Sequence, residues 1–277
     1  MRRDSIANTF LVAVALCVVC SVLVSTAAVT LRPRQELNRR RDRQRNILRA
    51  AGLYDPRVPL EVLFERVETR IVDLQTGEFV GPEVVDPETY DQRMAARDPM
   101  LSQEVPGRIV EFGFARRERY SFVYLIEENG ELDQIVLPVY GRGLWSTLYA
   151  FLALDSDLTT IRGITFYEHG ETPGLGGEVD NPNWQALWED KQAYDQEGDV
   201  AIRVVRGAAV PDHPHQIDGL AGATITARGV SGMVRFWLGE DGFGPFLERL
   251  AEQHGLPSPG AVQTAAKLQR LLQTQVP

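Results

Sequence analysis

Seven consecutive residues, Asp218-Gly219-Leu220-Ala221-Gly222-Ala223-Thr224, combine a carboxylate, two glycines and a hydroxyl immediately ahead of an amphipathic run. Val230, Met233, Val234, Trp237 and Leu238 recur at i, i+3, i+4, i+7 and i+8, one face of a helix, which places Thr224 at or near its N-terminus. Backbone N–H groups and the positive end of the helix dipole would stabilise a phosphate there, and Gly219 and Gly222 would let the backbone approach it. The spacing by itself leaves a second reading open, in which Thr224 or Thr226 caps the helix and Asp218-Gly219 makes a turn.

Another segment, Glu171-Thr172-Pro173-Gly174-Leu175-Gly176-Gly177, is too rich in glycine and proline for regular structure. It reads as a loop able to approach a planar ring or as a tight structural turn. His213-Pro214-His215 makes a poor metal set, because no further His or Cys ligand is nearby. Glu168, His169 and Glu178 show no ligand spacing, so no metal site is expected.

These segments need a scaffold. Beyond Gly52, short β-rich runs alternate with a few helical ones and there is no βαβ rhythm or repeat, so the expected class is α+β with a single, mainly antiparallel sheet domain. Strands are expected at Arg70 to Leu74, Phe79 and Val80, Arg108 to Phe114, Tyr120 to Glu127, Gln134 to Tyr140, Thr147 to Leu152, Ile161 to Tyr167 and Val200 to Val205. Glu128-Asn129-Gly130 supports a hairpin turn. Helices are expected at Pro59 to Val67, Trp184 to Trp188, Thr224 to Leu238, Pro245 to Gln253 and Ala261 to Leu272.

The 22 residues from Phe10 to Leu31 carry no charge, and at 1.5 Å per residue they reach roughly 33 Å, enough to cross a hydrocarbon core. The run exceeds that of a cleaved signal peptide and reads as an uncleaved anchor. The expected division is a tail over 1–9, a transmembrane helix over 10–31, a juxtamembrane helix over 32–52, an extramembrane domain over 53–256, and a C-terminal helix and tail over 257–277. Cys17 and Cys20, the two cysteines, both lie in the apolar run, as helix- or lipid-facing small residues or as half of a metal or redox site completed by a partner helix.

The formal net charge is -9, yet residues 1–49 hold ten Arg against three acidic residues, a balance of +7 that leaves -16 for the rest. An acidic body argues against a nucleic-acid partner. The eight arginines between Arg32 and Arg49 can face lipid phosphates, a partner or solvent, and by charge bias alone they would keep the body in the cytoplasm.

The segment ending in Thr224 resembles the motif read by the flavin transferase that moves FMN from FAD onto a threonine through a phosphoester. The similarity continues through Asp4-Ser5-Ile6, the apolar helix, Leu31-Arg32-Pro33, Arg45-Asn46-Ile47-Leu48, Ala50-Ala51-Gly52-Leu53, Gly143-Leu144-Trp145-Ser146 and Gly163 to Glu178. In these stretches the chain is similar to the C subunit of the sodium-translocating NADH:quinone oxidoreductase. Ala221 departs from the Ser common there.

The resemblance implies FMN held through its phosphate on Thr224. Leu144, Trp145, Thr172, Leu175, Gly222 and Ala223 would contact the cofactor, and Asp218, Gly219, Gly222 and Ala223 would be read by the transferase. Flavin does the redox chemistry, so no catalytic residue is expected and the chain is not active alone. The family further implies an electron relay from a membrane iron–sulfur centre towards an FMN on the B subunit, within a complex that also holds the A, D, E and F subunits. That complex couples NADH oxidation and ubiquinone reduction to Na⁺ export across the bacterial inner membrane, with this domain periplasmic. Two alternatives are the homologous flavin subunit of the ferredoxin:NAD oxidoreductase complex, which shares the threonine motif, and a non-redox, membrane-anchored binding or assembly protein.

Overall fold

The computed structural model describes residues 6–105, 114–257 and 259. The strand expected over 108–114, apart from Phe114, and the helix expected over 261–272 lie outside the described residues. The chain divides into two compact units, Met1–Gln44 and Arg45–Pro277.

Among the described residues the first unit is helical. Helix α1 runs Ile6–Ala50 and continues through Pro33 without a break. Among the described residues it is the one helix long and apolar enough to cross a membrane.

The second unit begins with the last turns of α1. Ile47 and Leu48 are fully buried there, and Gly52 ends the helix in a left-handed conformation (φ 69°). Its N–H bonds the Arg49 carbonyl while that of Leu53 reaches back to Leu48 (3.0 and 2.8 Å), a glycine-capped C-terminus.

Six strands form one antiparallel sheet, in the order β2-β1-β5-β6-β7-β8. They are β1 (Val67–Asp73), β2 (Glu78–Val80), β5 (Tyr120–Glu128), β6 (Glu131–Arg142), β7 (Thr147–Asp155) and β8 (Ile161–Glu168). The β5–β6 turn uses Asn129 and Gly130, both at positive φ (56° and 84°), a geometry suited to a tight hairpin. Side chains alternate between two cores. Ile135, Leu137 and Val139 of β6 and Leu148, Ala150, Leu152 and Leu154 of β7 enter one, whereas Val136, Phe151 and Ala153 join Ile47 and Leu48 in the other. Both faces are therefore covered, which explains why these strands read as almost continuous apolar runs.

The larger core is closed by α5 (Thr224–Leu238) and α6 (Gly244–His254). Helix α5 begins and ends where the periodicity places it. Val230, Met233, Val234 and Trp237 of its apolar face are fully buried, and Trp237 Nε1 donates to the Tyr140 carbonyl (2.7 Å). A Cβ on Gly229 would lie 2.0 Å from the Arg142 carbonyl oxygen, so the helix backbone lies directly on the end of β6.

Several expected elements differ in extent. The strand expected over 200–205 shrinks to β9 (Arg203–Val204), paired in parallel with β10 (Gln216–Ile217), because Ala201 and Ile202 donate to the Ala193 carbonyl instead of a ladder. The helix expected from Trp184 is a short α4 (Pro182–Gln185), capped by the Asn181 side chain and relaxing into a 3₁₀ turn over Ala186–Trp188. Helix α2 (Leu60–Phe64) stops short of Val67, and β1 starts there because Val67 to Thr69 already pair with β5. A hairpin of β3 (Ser102–Glu104) and β4 (Arg116–Glu118) and the single-turn α3 (Gln92–Ala95) gave no apolar periodicity to read.

Candidate functional site

The N-terminus of α5 carries the site. The cap position falls on Ala223, which has no side-chain cap bond, and the first intrahelical bond runs from Ala227 N–H to the Ala223 carbonyl (3.0 Å). Neither threonine is the capping residue: Thr224 is the first helical residue and is exposed, while Thr226 is fully buried. The opening N–H groups of a helix have no intrahelical acceptor, so this end keeps its capacity for an anion.

The residues before it form a bend that needs a glycine at Gly222, whose φ is 71° and whose Cβ would come within 2.9 Å of Leu175 Cδ2. Leu175 thus lies against the Gly222 backbone. Ala221 is exposed, so Ala in place of Ser disturbs no packing. Asp218 accepts the Ala209 N–H (2.7 Å) and its carbonyl accepts Trp184 Nε1 (2.9 Å). Gly219 donates to the Gly207 carbonyl (2.7 Å), so both residues also hold the bend to the neighbouring loop.

A residue that sequence reasoning missed joins these pieces. Glu171, buried at the start of the glycine-rich loop, accepts the backbone N–H groups of Trp145 (2.8 Å) and Ser146 (3.3 Å) on Oε1. On Oε2 it accepts the N–H of Leu144 (3.2 Å) and the Thr226 hydroxyl (2.5 Å). A single carboxylate thereby ties the β6–β7 turn, the loop after β8 and the first turn of α5 together. A Cβ on Gly176 would fall 2.6 Å from Glu171 Oε2 and 2.7 Å from Thr226 Oγ1, so a side chain there would drive the two apart.

Around this knot the apolar side chains point outwards: Leu144 is 42%, Leu175 44%, Ile225 56% and Trp145 71% exposed. Thr172 is also exposed, and its carbonyl accepts the N–H groups of Leu175 (3.1 Å) and Gly177 (2.9 Å). The structure therefore brings together Leu144, Trp145, Leu175, Gly222 and Thr224, four of them exposed apolar or hydroxyl side chains. Exposed leucine and tryptophan near a helix end whose opening N–H groups can take an anion suit a ligand with a flat apolar part and a phosphate. Ile225, which the sequence did not single out, belongs to the same surface.

His169 sets the loop's entry. Its Nδ1 accepts the Glu171 N–H (3.1 Å) and its Nε2 faces Asp180 (2.7 Å). His213 and His215 serve their own loop: His213 Nδ1 accepts the His215 N–H (3.1 Å), and His215 Nδ1 lies 2.8 Å from the Gln192 carbonyl.

Burial pushes the Glu171 carboxyl up, but the Thr226 hydroxyl and the three backbone N–H groups more than offset it and hold the group below the usual carboxylate range. Its stabilising contribution is therefore complete above the unfolded value of about 4.3 and is lost as pH falls through the lower, folded one. Thermal melts of the chain are expected to fall in this acid window, and Glu171→Gln to flatten that dependence. An equal acid slope in both would contradict it.

The fold and the site define a flavin-binding module behind an apolar N-terminal helix. A family model described as an FMN-binding domain matches residues 143–239, from the turn that Glu171 grips to the C-cap of α5. The C subunit of the Na(+)-translocating NADH-quinone reductase of Pseudomonas aeruginosa is 50% identical over 256 residues, covering 90% of this chain and 97% of the relative. That of Vibrio anguillarum is 43% identical over 251 residues, covering 91% and 97%. A crystal structure of Shewanella oneidensis NqrC superposes with a TM-score of 0.72 at 35% identity, covering 78% of this chain and 99% of that one. The chain belongs to the family formed by the C subunits of the Na(+)-translocating NADH-quinone reductases.

Proposed function

We propose that this chain is an electron-carrying subunit of a Na⁺-translocating NADH:quinone reductase, with FMN attached through its phosphate to Thr224. The observation that carries this reading is the uncapped start of α5, with exposed Thr224 as its first residue, exposed Ile225 next to it, Leu175 against Gly222, and the exposed Leu144–Trp145 turn tied to the same helix end through Glu171. The groups present fit FMN: a helix end for the phosphate, a hydroxyl for the bond, and Leu144, Trp145, Leu175 and Ile225 for the ring. Thr172, Gly222 and Ala223 complete the contacts expected from the family.

In maturation Thr224 Oγ1 gives up its proton and takes the FMN phosphorus from the diphosphate of FAD. The phosphorus–oxygen bond to the AMP half breaks and AMP leaves. Asp218, Gly219, Gly222 and Ala223 present the segment to the transferase, and Ala221 leaves it unobstructed. Once bound, FMN supplies the electron-transfer chemistry. The chain's own task is to hold the ring in place and limit its contact with water, with no general acid or base.

Within the complex, electrons pass through this chain from a membrane iron–sulfur centre towards the FMN of the B subunit. With the A, D, E and F subunits these two complete the machine that couples NADH oxidation and ubiquinone reduction to Na⁺ export. Purified from its host membrane, the chain should bring down an NADH-oxidising partner and Na⁺-stimulated quinone reduction. Copurification with ferredoxin-linked activity would assign it to the related ferredoxin:NAD complex. A native complex without flavin would make it a non-redox anchor.

The body lies on the periplasmic side of the inner membrane, as the resemblance implies; the juxtamembrane arginines do not forbid it, since a large domain can be translocated largely regardless of charge. Glu197, exposed on the body, provides the test. In intact spheroplasts, Glu197→Cys should react with an impermeant thiol reagent, and protection would place the body in the cytoplasm.

A further inference from the structure

We infer that Glu171 is a positioning residue for the flavin: its carboxylate fixes the Leu144–Trp145 turn against the threonine-bearing end of α5, and its negative charge holds the flavin's reduction potential down. The inference rests on FMN attachment at Thr224 as proposed above.

The geometry favours a carboxylate. All four of its partners donate, two to each oxygen. An ionised carboxylate offers lone pairs on both oxygens, whereas a glutamine of the same shape must turn its NH₂ towards one pair of donors whichever way the amide is flipped. Glu171→Gln therefore frees either the Trp145 and Ser146 N–H groups or, with the Thr226 hydroxyl turned to accept from the NH₂, the Leu144 N–H, and so weakens the hold on the Leu144–Trp145 turn.

The site is also built to keep this group in place. Gly143 and Gly176 are both cleared for it, since a Cβ on either would come within 2.6 Å of a Glu171 carboxylate oxygen. His169 accepts its backbone N–H, and Ser146, whose own N–H it holds, accepts the Gly170 N–H on Oγ (2.6 Å). Glu171 acts through these neighbours and through Trp145 and Leu144, whose side chains remain on the surface.

Its charge acts as well. The four donors are neutral groups, so hydrogen bonds stabilise the anion and no cation among them cancels it. The charge lies 2.5 Å from the hydroxyl of Thr226, two residues from Thr224. A fixed negative charge beside a partly desolvated ring opposes the arrival of an electron there.

The test uses the full-length chain produced with the flavin transferase and purified in detergent. Intact mass, flavin midpoint potential and flavin fluorescence are read on wild type, Glu171→Gln, Glu171→Asp and Leu250→Ala, the last a truncation of a buried core side chain in α6. Glu171→Gln should carry FMN, shift its potential positive, and fluoresce more brightly as Trp145 loses its fixed place. Glu171→Asp keeps the charge and should return the potential towards wild type. Leu250→Ala should lower the melting temperature and leave both flavin properties unchanged.

Flavinated Glu171→Gln with wild-type potential and fluorescence overturns the inference alone, as does a shift that Leu250→Ala shares. A wild-type chain without FMN in its mass overturns the attachment and this inference together. Should Glu171→Gln not fold, Thr226→Val, which cuts the tie to α5 and keeps the charge, carries the test: fluorescence should rise at near wild-type potential, and unchanged fluorescence overturns the positioning role.

Discussion

Thr224→Val is expected to abolish covalent flavin on this chain, and with it NADH-driven quinone reduction by the assembled complex, while the fold stays intact. Valine keeps the shape of threonine and removes only the hydroxyl that the phosphoester requires. Thr224 is exposed at the first position of α5, so the stability cost should stay within about 0.5 kcal/mol, as for surface substitutions generally. Yellow in-gel fluorescence of the denatured chain under ultraviolet light checks it: present in wild type, absent in the variant, with matching melting temperatures. Thr224→Ser, which retains a hydroxyl, should keep the signal. Fluorescence that persists in Thr224→Val would remove Thr224 as the attachment point.

The second large effect is expected at Gly229. Its Cβ position lies 2.0 Å from the Arg142 carbonyl oxygen and 3.1 Å from the carbonyl carbon, and backbone cannot swing aside as a flexible side chain can. Gly229→Ala must lift α5 from the end of β6 and disturb Met233 and Trp237 below it. Overpacking of this kind costs about 3 kcal/mol, more than the gain in helix propensity from replacing glycine, about 1 kcal/mol. The displacement would also move Thr224 relative to the Leu144–Trp145 turn, so flavin loading should fall with stability. Denaturant unfolding of the purified chain measures it; an unchanged midpoint would mean that helix and strand are not held in this contact.

How far the sequence reaches can be judged from particular elements. The bounds of α5 were legible because its apolar residues repeat at helical spacing over a buried face. The hairpin at Asn129-Gly130 was legible because only a few residue types accept positive φ. The apolar run of α1 was equally plain. The short β9 was overread because Val200 to Val205 has strand-like composition, whereas neighbouring carbonyls take its N–H groups.

The role proposed for Thr224 lay beyond periodicity, which left a phosphate site and an ordinary cap both open. The structure moves the cap to Ala223, and the family supplies the flavin. Glu171 was invisible for a different reason. Its partners are backbone N–H groups 25 to 27 residues away and a hydroxyl 55 residues away, and neither leaves a local pattern. The trace it does leave is steric, in two glycines, Gly143 and Gly176, that become intelligible only once the carboxylate lies between them.

The central claim, FMN on Thr224, is tested most directly by the mass of one peptide. Cleavage after Arg206 and Arg228 releases residues 207–228, in which Thr224 and Thr226 are the hydroxyl-bearing side chains. From the native membrane this peptide should carry the mass of one FMN less water, localised by fragmentation to Thr224 and not to the buried Thr226. An unmodified peptide, or the added mass on any other residue, would contradict the account.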